Sequence, residues 1–279
     1  MSELITTGDV ANMRHKMSFD LLSEDRIQSG LKTKLFGKKI YAFWSVGSTN
    51  EFAYRRALQD EQEGVLVIAE EQKKGKGRKS RKWDSRFNKG LWFSLILRPD
   101  LPAAKAGLVP YLAGISVAEA VEDVIGLKAD MKWPNDLLLS GRKFCGILSE
   151  VEFENSQIDF IILGIGINVN HKKDEFPEEF RDQATSLRIE SGSRIDRAQF
   201  LAEVLVQLEK NYNYMKQNGF ENIMTRWQTR CPQFGKEIVV IQDDDTYHGT
   251  FEDLDDEGCL LLRTRSDELI KIVAGDITF

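Results

Sequence analysis

Residues 129–169 constrain this chain more than any other stretch. Apolar runs follow one another there with little more than a turn between them. Residues 137–139, the turn Ser140-Gly141 and residues 144–154 read as a hairpin, and residues 158–169 as a buried strand. Strands joined this tightly pair antiparallel, because a parallel partner needs a crossover of a dozen or more residues. The chain must therefore build a largely antiparallel sheet.

Other elements surround this meander. Residues 40–46 and 65–69 read as strands. In residues 91–98, Leu91, Phe93, Leu95 and Leu97 alternate with Trp92, Ser94, Ile96 and Arg98, which predicts a strand with one dry and one wet face. Ser23 and Gly30 bound a short helix over 21–30. Ser48 and Glu51 have the spacing of a capping box for a helix reaching about Gln59. A helix over 107–125 tolerates Pro110 only in its first turn. Asp196 caps a long helix whose Phe200, Val204, Leu208 and Tyr212 share a face and which Gly219 ends, and a further helix reaches about Thr229. After Pro232 only short strands with acidic or glycine turns remain, the pattern of a small β-barrel. Residues 1–20 have no clear period and are expected to be partly mobile. The fold class expected is α+β, a mixed, largely antiparallel sheet backed by helices. The division expected is a lead-in at 1–30, a main domain at 31–231 and a small barrel at 232–279.

Composition narrows the function classes. Among 279 residues, 42% are apolar, 29% charged and six are proline, which excludes a disordered or low-complexity chain. No apolar run approaches the ~20 residues that span a bilayer, and the N-terminus lacks a secretory signal. Cys145, Cys231 and Cys259 are scattered, as are His15, His171 and His248, so neither a disulfide framework nor a metal site is implied. A reducing cytoplasm fits best. The net charge of −6 disfavours a general nucleic-acid coat. Residues 73–82, KKGKGRKSRK, nevertheless hold seven cations and no acid.

Four segments carry chemistry. The loop from Gly75 to Trp83 follows a strand, and its glycines let backbone N–H groups approach a ligand while Arg78, Arg81 and the lysines supply charge for phosphate or carboxylate. It is neither a Walker A loop nor a Rossmann fingerprint; a solvated basic turn is the plain alternative. Lys132-Trp133-Pro134-Asn135-Asp136 is either a strand end with an Asx-type turn or a rigid loop aiming Asn135 and Asp136 into a cleft. Lys143 follows across the hairpin. Gly164 and Gly166 lie within an apolar strand, where glycine marks close approach of another group. Ser48-Thr49-Asn50 is open to either reading, a functional segment or plain helix capping, since a capping box alone accounts for Ser48 and Glu51.

Together these segments resemble the biotin protein ligases. The pattern is S-T-N, then A-E-x-Q-x-x-G-x-G-R-x-x-R-x-W, K-W-P-N-D, R-K-x-x-G-I-L and G-I-G-I-N-V-N, covering the chain from about Leu31 to its end. The chain departs from the family at Lys76, usually arginine, and at Ser80, often glycine. The resemblance implies the catalytic core shared with class II aminoacyl-tRNA synthetases, followed by a Src-homology-3-like barrel. It implies that Ser48, Thr49 and Gln72 bind the ureido head of biotin, with Asn50 beside them. Gly75, Lys76, Gly77 and Arg78 match the loop that folds over biotin and its adenylate. Lys143 matches the lysine holding the biotin carboxylate and α-phosphate, and Gly164 and Gly166 match the pocket floor. Lys132, Asn135, Asn168, Arg81 and Trp83 fall on the nucleotide side, with Trp83 packing behind the loop. Asp136 matches a carboxylate near the acceptor lysine, which makes Lys143, Arg78 and Asp136 the catalytic set.

The implied reaction is ATP-dependent activation of biotin as biotinyl-5'-AMP, with magnesium, then transfer to a lysine of a biotin carboxyl carrier protein domain. A monomer or homodimer is expected. A lipoate ligase or octanoyl transferase is the rival within the fold, and a nucleic-acid-binding module the rival outside it. Some ligases of this type also repress transcription through an N-terminal winged helix. Only 47 residues precede Ser48, so a monofunctional enzyme without sequence-specific DNA binding is expected.

Overall fold

The computed structural model describes residues 3–4 and 20–278. The expectation of mobility at 1–20 falls almost wholly outside them. The main sheet contains β1 (Glu3–Leu4), β2 (Ile40–Val46), β3 (Leu66–Gln72), β4 (Gly90–Leu97), β5 (Asp130–Lys132), β6 (Asp136–Leu139), β7 (Arg142–Glu154) and β8 (Gln157–Asn168). Their order is β1-β2-β3-β4-β8-β7-β6-β5. Only β2 and β3 pair parallel, joined through α2 (Thr49–Ala57). The other neighbours pair antiparallel, so the predicted meander is present.

The two-residue period of a strand assigns the sheet's faces. On one face Leu66, Ile68, Leu91, Phe93, Leu95, Ile161, Leu163, Ile165 and Ile167 enter the main core. That core is closed by α3 (Val109–Ile125) and α5 (Arg197–Asn218). On the other face Val67, Ala69, Ile96, Phe160 and Ile162 pack with Ala53 and Ala57 of α2 in a smaller core. The wet face expected for β4 does not exist, because all eight of its residues are buried. The strand is central, and Trp92, Ser94 and Ile96 look toward the α2 side.

Local signals set the helix ends. Ser23 caps α1 (Glu24–Gly30) by accepting from Arg26 N. Asp196 accepts from the N–H groups of Ala198 and Gln199 at the start of α5. Pro110 sits in the first turn of α3, and Gly126 ends it with φ +73°. Phe200, Val204, Leu208 and Tyr212 of α5 are all buried as predicted; truncating Leu208 to alanine would cost about 2–5 kcal/mol. A short α4 (Leu187–Ser191), absent from the sequence expectations, precedes α5, and α6 (Glu221–Gln228) follows it.

The C-terminal unit is a five-stranded antiparallel sheet. It is built from β9 (Glu237–Gln242), β10 (Asp245–Leu254), β11 (Leu260–Thr264), β12 (Leu269–Ile272) and β13 (Asp276–Thr278) in the order β12-β11-β10-β9-β13. Its acidic turn docks on the main domain. The Tyr111 hydroxyl and Trp133 Nε1 both donate to the carbonyl of Gly258, at 2.5 and 3.3 Å. A Cβ at Gly258 would fall 2.7 Å from the Tyr111 ring, and φ there is +85°, so glycine is needed twice over. Among the described residues no helix is long and apolar enough to cross a membrane.

Candidate active site

The site begins where the α2-side face of the sheet loses its side chains. Along β8 that face carries Phe160 and Ile162, then Gly164 and Gly166. On β7, Gly146 pairs directly with Gly166, and Leu148 with Gly164. Three glycines on two adjacent central strands leave a depression floored by backbone. Gly146 stood in the R-K-x-x-G-I-L pattern without an assigned role, and its register opposite Gly166 places it in the floor.

Protein side chains lie over this floor. A Cβ at Gly164 would fall 2.1 Å from Asn50 Oδ1. Trp83 spans the other two glycines: a Cβ at Gly166 would fall 2.5 Å from its Nε1, and one at Gly146 would fall 2.8 Å from its ring. Trp83 therefore does not pack behind the loop as expected but lies across the floor, edge-on to Trp92 with centroids 6.4 Å apart. Its Nε1 is buried without a hydrogen-bond acceptor. An unpartnered buried N–H costs about 1–3 kcal/mol, which favours either a ligand acceptor or withdrawal of the ring.

The S-T-N segment forms one wall. Ser48 caps α2, its Oγ 3.5 Å from Glu51 N. Gln72 Oε1 accepts from Thr49 N at 2.8 Å and Thr49 Oγ1 at 3.0 Å, while Gln72 Nε2 donates to Ser85 Oγ at 3.0 Å. Ser94 Oγ lies 2.8 Å from Thr49 Oγ1 and 2.6 Å from Asn50 Oδ1. Asn50 Nδ2 donates to Glu150 at 2.7 Å. Both ends of the Asn50 amide and both ends of the Gln72 amide are thus engaged within the protein, and Thr49 links them in one polar network with Ser85 and Ser94. Ser85 and Ser94, both buried, were missed by the sequence reading. Ser94 stood in the alternation of β4 but was assigned to a wet face.

The cations occupy different places. Lys143 on β7 puts Nζ 2.6 Å from Asp136 Oδ1 and 5.1 Å from the centroid of Trp83. Asp136 pairs with Gly146 across the β6–β7 ladder, so K-W-P-N-D and the glycine floor meet. Asn135 Nδ2 donates to the Ile147 carbonyl at 2.6 Å, and Asn135 Oδ1 accepts from Arg78 Nη1 at 3.4 Å. Burial pulls Arg78 below the usual arginine value, with the Asp276 and Asp136 carboxylates opposing it. Among the described residues Arg78 has no ion-pair partner, so a half-buried guanidinium faces the site. Lys132 is half-buried, and Asn168 is buried at the end of β8.

The basic loop is a small hairpin. Trp83 N donates to Gly75 O at 3.0 Å and Gly77 N to Arg81 O at 2.7 Å. A Cβ at Gly75 would fall 2.5 Å from the Trp83 carbonyl, which explains the first glycine. Lys76 is exposed. Arg81 turns away from the site and pairs with Asp276 of β13, Nη1 to Oδ1 at 3.0 Å; that carboxylate holds it above the usual arginine value. Lys79 lies 3.4 Å from Asp243. Of the predicted nucleotide-side residues, Trp83, Arg78 and Asn135 are tied by contacts to the floor or to β7 beside it, whereas Arg81 is held by β13.

A cavity of about 220 Å³ opens at the edge of β7 just before β6 begins, bounded by Arg78, Asn135, Leu148, Tyr111 and Gly258. A larger cleft of about 320 Å³ between α1 and α5 contains none of the predicted residues. Asp255, Glu257 and Cys259 have metal-like spacing, but Lys271 Nζ already neutralises the two carboxylates at 2.7 and 2.6 Å.

The chain's relationships agree with this geometry. Residues 43–168 match the biotin/lipoate A/B protein ligase family, and residues 234–279 match the biotin protein ligase C-terminal domain. The bifunctional ligase/repressor BirA of Bacillus spizizenii is 40% identical over 256 residues, covering 92% of this chain and 78% of that protein. The biotin–[acetyl-CoA-carboxylase] ligase of Mycobacterium tuberculosis is 30% identical over 237 residues, covering 83% and 85%. Among solved structures, the biotin protein ligase from Aquifex aeolicus in complex with biotin and ATP superposes with a TM-score of 0.74 at 30% identity, covering 86% of this chain and 98% of that one. The chain belongs to the biotin/lipoate A/B protein ligase family, as one of its biotin protein ligases.

Proposed function

We propose that this ligase joins biotin to a carrier-protein lysine in two steps at the glycine floor. The observation that supports the reading is convergence. Lys143, Asp136, Arg78, Asn135 and the three floor glycines come from separate segments and meet at one depression. In the first step a biotin carboxylate oxygen attacks the α-phosphorus of ATP, and the bond to the β-phosphate oxygen breaks, releasing pyrophosphate. Both reactants are anions, so cations must bring them together and hold charge developing on the α-phosphate. Lys143 and Arg78 serve that role. Thr49 and Gln72, with Ser48, offer donors and acceptors to the ureido head, and the loop from Gly75 through Arg78, Lys76 included, folds over the product. Lys132, Asn135 and Asn168 face the nucleotide, with Trp83 as its aromatic neighbour. Magnesium, when bound, would neutralise the polyphosphate; Asp136 is the floor-side carboxylate able to hold it.

In the second step the carrier lysine's amine attacks the acyl carbon, a C–N bond forms and AMP leaves. An ordinary lysine has a pKa near 10.4 and must lose a proton. Asp136 is placed to accept it once substrate anions draw Lys143 away. The acceptor is a biotin carboxyl carrier protein domain of acetyl-CoA carboxylase or a related carboxylase. The working arrangement is a catalytic unit at 31–231 with a C-terminal unit at 232–279, a cytoplasmic monomer or homodimer without sequence-specific DNA binding. The reading is tested by titrating biotin and lipoate separately, then supplying ATP, magnesium and a purified carrier domain. Biotin binding and mass gain on one carrier lysine are expected. Preference for lipoate, or an unlabelled carrier, would contradict it.

A further inference from the structure

Lys143 sits where its strand is unpaired toward β8 and bulged toward β6. The β7–β8 pairing starts only at Cys145 opposite Ile167, so Lys143 has no partner on β8. On the other side Leu137 pairs with Cys145 but Leu138 with Lys143, which leaves Phe144 as an extra residue. Such a bulge re-aims neighbouring side chains and loosens the ladder. The missing partner is supplied from elsewhere in the chain. Lys143 N donates to Gln183 O at 2.8 Å, and Thr185 N donates to Lys143 O at 2.9 Å.

One carboxylate joins these pieces. Glu190 of α4 accepts from Ser140 Oγ at 2.7 Å, from Arg142 Nη2 at 2.6 Å and from Thr185 Oγ1 at 2.5 Å. Ser140 and Arg142 precede Lys143 in the hairpin, and Thr185 grips its carbonyl from behind. The Glu190 side chain is only 10% exposed, so its carboxylate and the bonds from Arg142 and Thr185 are partly shielded from water while the Ser140 bond lies at the surface, and each is of the charge-assisted kind. A lysine has four rotatable bonds, and its nitrogen is aimed only as well as its backbone is fixed.

We infer that Glu190 is the positioning residue for Lys143, locking the bulged backbone so that the ammonium rests beside Asp136 and over Trp83. Glu190 contacts neither of those groups and acts through Lys143 alone. The inference rests on the role proposed for Lys143.

The test compares single-turnover adenylation by the full chain carrying Glu190→Ala, Glu190→Gln or Thr185→Val, each also combined with Lys143→Ala. A displacement of ~1 Å can cost ~100-fold in rate. Glu190→Ala is expected to slow adenylation by about 10-fold or more through kcat, with KM for biotin little changed. Thr185→Val should show a smaller loss, and Glu190→Gln should recover part of the rate. With Lys143 already alanine, Glu190→Ala should add nothing. Further slowing in that background, or a parent rate in folded Glu190→Ala, would overturn the inference. If Glu190→Ala does not fold, a parent rate in Thr185→Val overturns it instead. If Lys143→Ala alone runs at the parent rate, the role of Lys143 fails first and this inference falls with it.

Discussion

The glycine floor and the basic loop contribute to the same site but are held in opposite ways. The floor is central sheet: Gly146, Gly164 and Gly166 are laddered to strands and backed by the main core. The loop over residues 75–83 is closed by a few backbone hydrogen bonds and tethered by ion pairs whose Arg81 and Asp243 ends are largely exposed. Exposed pairs of this kind contribute about 0–1 kcal/mol. The difference separates the functional groups into two sets. Lys143 and Asn135 stand on fixed backbone before any ligand arrives, whereas Arg78 is delivered by a weakly held segment. A site so divided can hold its chemistry ready and still open to admit ATP.

The sharpest way to break this comparison is Lys143→Ala. It removes the pre-placed cation proposed above to face the two substrate anions, a kind of contact that contributes about 2.7–4 kcal/mol in a partly dry site. Biotin-dependent pyrophosphate release should fall about 100-fold or more, with the circular dichroism spectrum unchanged.

The next effect falls on the floor's support. His171 stacks on Phe176 and packs against Trp92, whose far edge meets Trp83. Burial pushes its pKa down to about 4. An unfolded histidine titrates near 6.5, so below that pH the unfolded chain binds a proton that the folded chain refuses. Stability is full above about pH 6.5 and is lost as pH falls toward 4, by ~3 kcal/mol for this one group. Glu61, held down to about 2 by Lys39, Arg56 and Tyr41 against its own burial, removes more below pH 4.5. Denaturant melts from pH 7 to 4 should show the first loss, and His171→Phe should flatten it. An unchanged slope in His171→Phe would place the acid sensitivity elsewhere.

Two glycines then separate floor from loop. Gly164→Ala must displace Asn50, and overpacking of this kind costs about 1–3 kcal/mol. Gly77→Ala meets only Arg81, its carbonyl at 3.5 Å and its Cβ at 3.9 Å, both ordinary contacts. Its stability should match the parent's within about 0.5 kcal/mol. Equal destabilisation of both would erase the distinction. The smallest effect on stability belongs to Asp276→Asn, which frees Arg81 and should cost less than ~1 kcal/mol while raising hydrogen exchange over residues 75–83.

Much of this division was legible in sequence. Ser23, Ser48 and Asp196 marked helix starts, and the meander gave the order of β6, β7 and β8 in the main sheet, though not β5 as a strand of its own. The motif segments contained Asn50, Trp83, Asp136, Lys143, Gly164 and Gly166, which meet at the floor, and also Gly146, to which no role was given. The misses share a cause. Ser94 was assigned to a wet face because alternation within one strand cannot show that α2 covers the other side. Trp83 was placed behind the loop, although glycines some 60 and 80 positions away decide where its ring lies. Asp276 and Glu190 act on residues far along the chain, and no local period reports such pairs. Arg197, fully buried between Asp20 and Glu70, was invisible for the same reason.

The central claim is that the floor and its fixed lysine make biotinyl-adenylate. Incubating the protein with ATP, magnesium and biotin, and following the mixture by mass spectrometry, tests it directly. The account predicts biotinyl-5'-AMP bound to the parent and nearly absent from folded Lys143→Ala. Folded parent protein that yields no adenylate would contradict it.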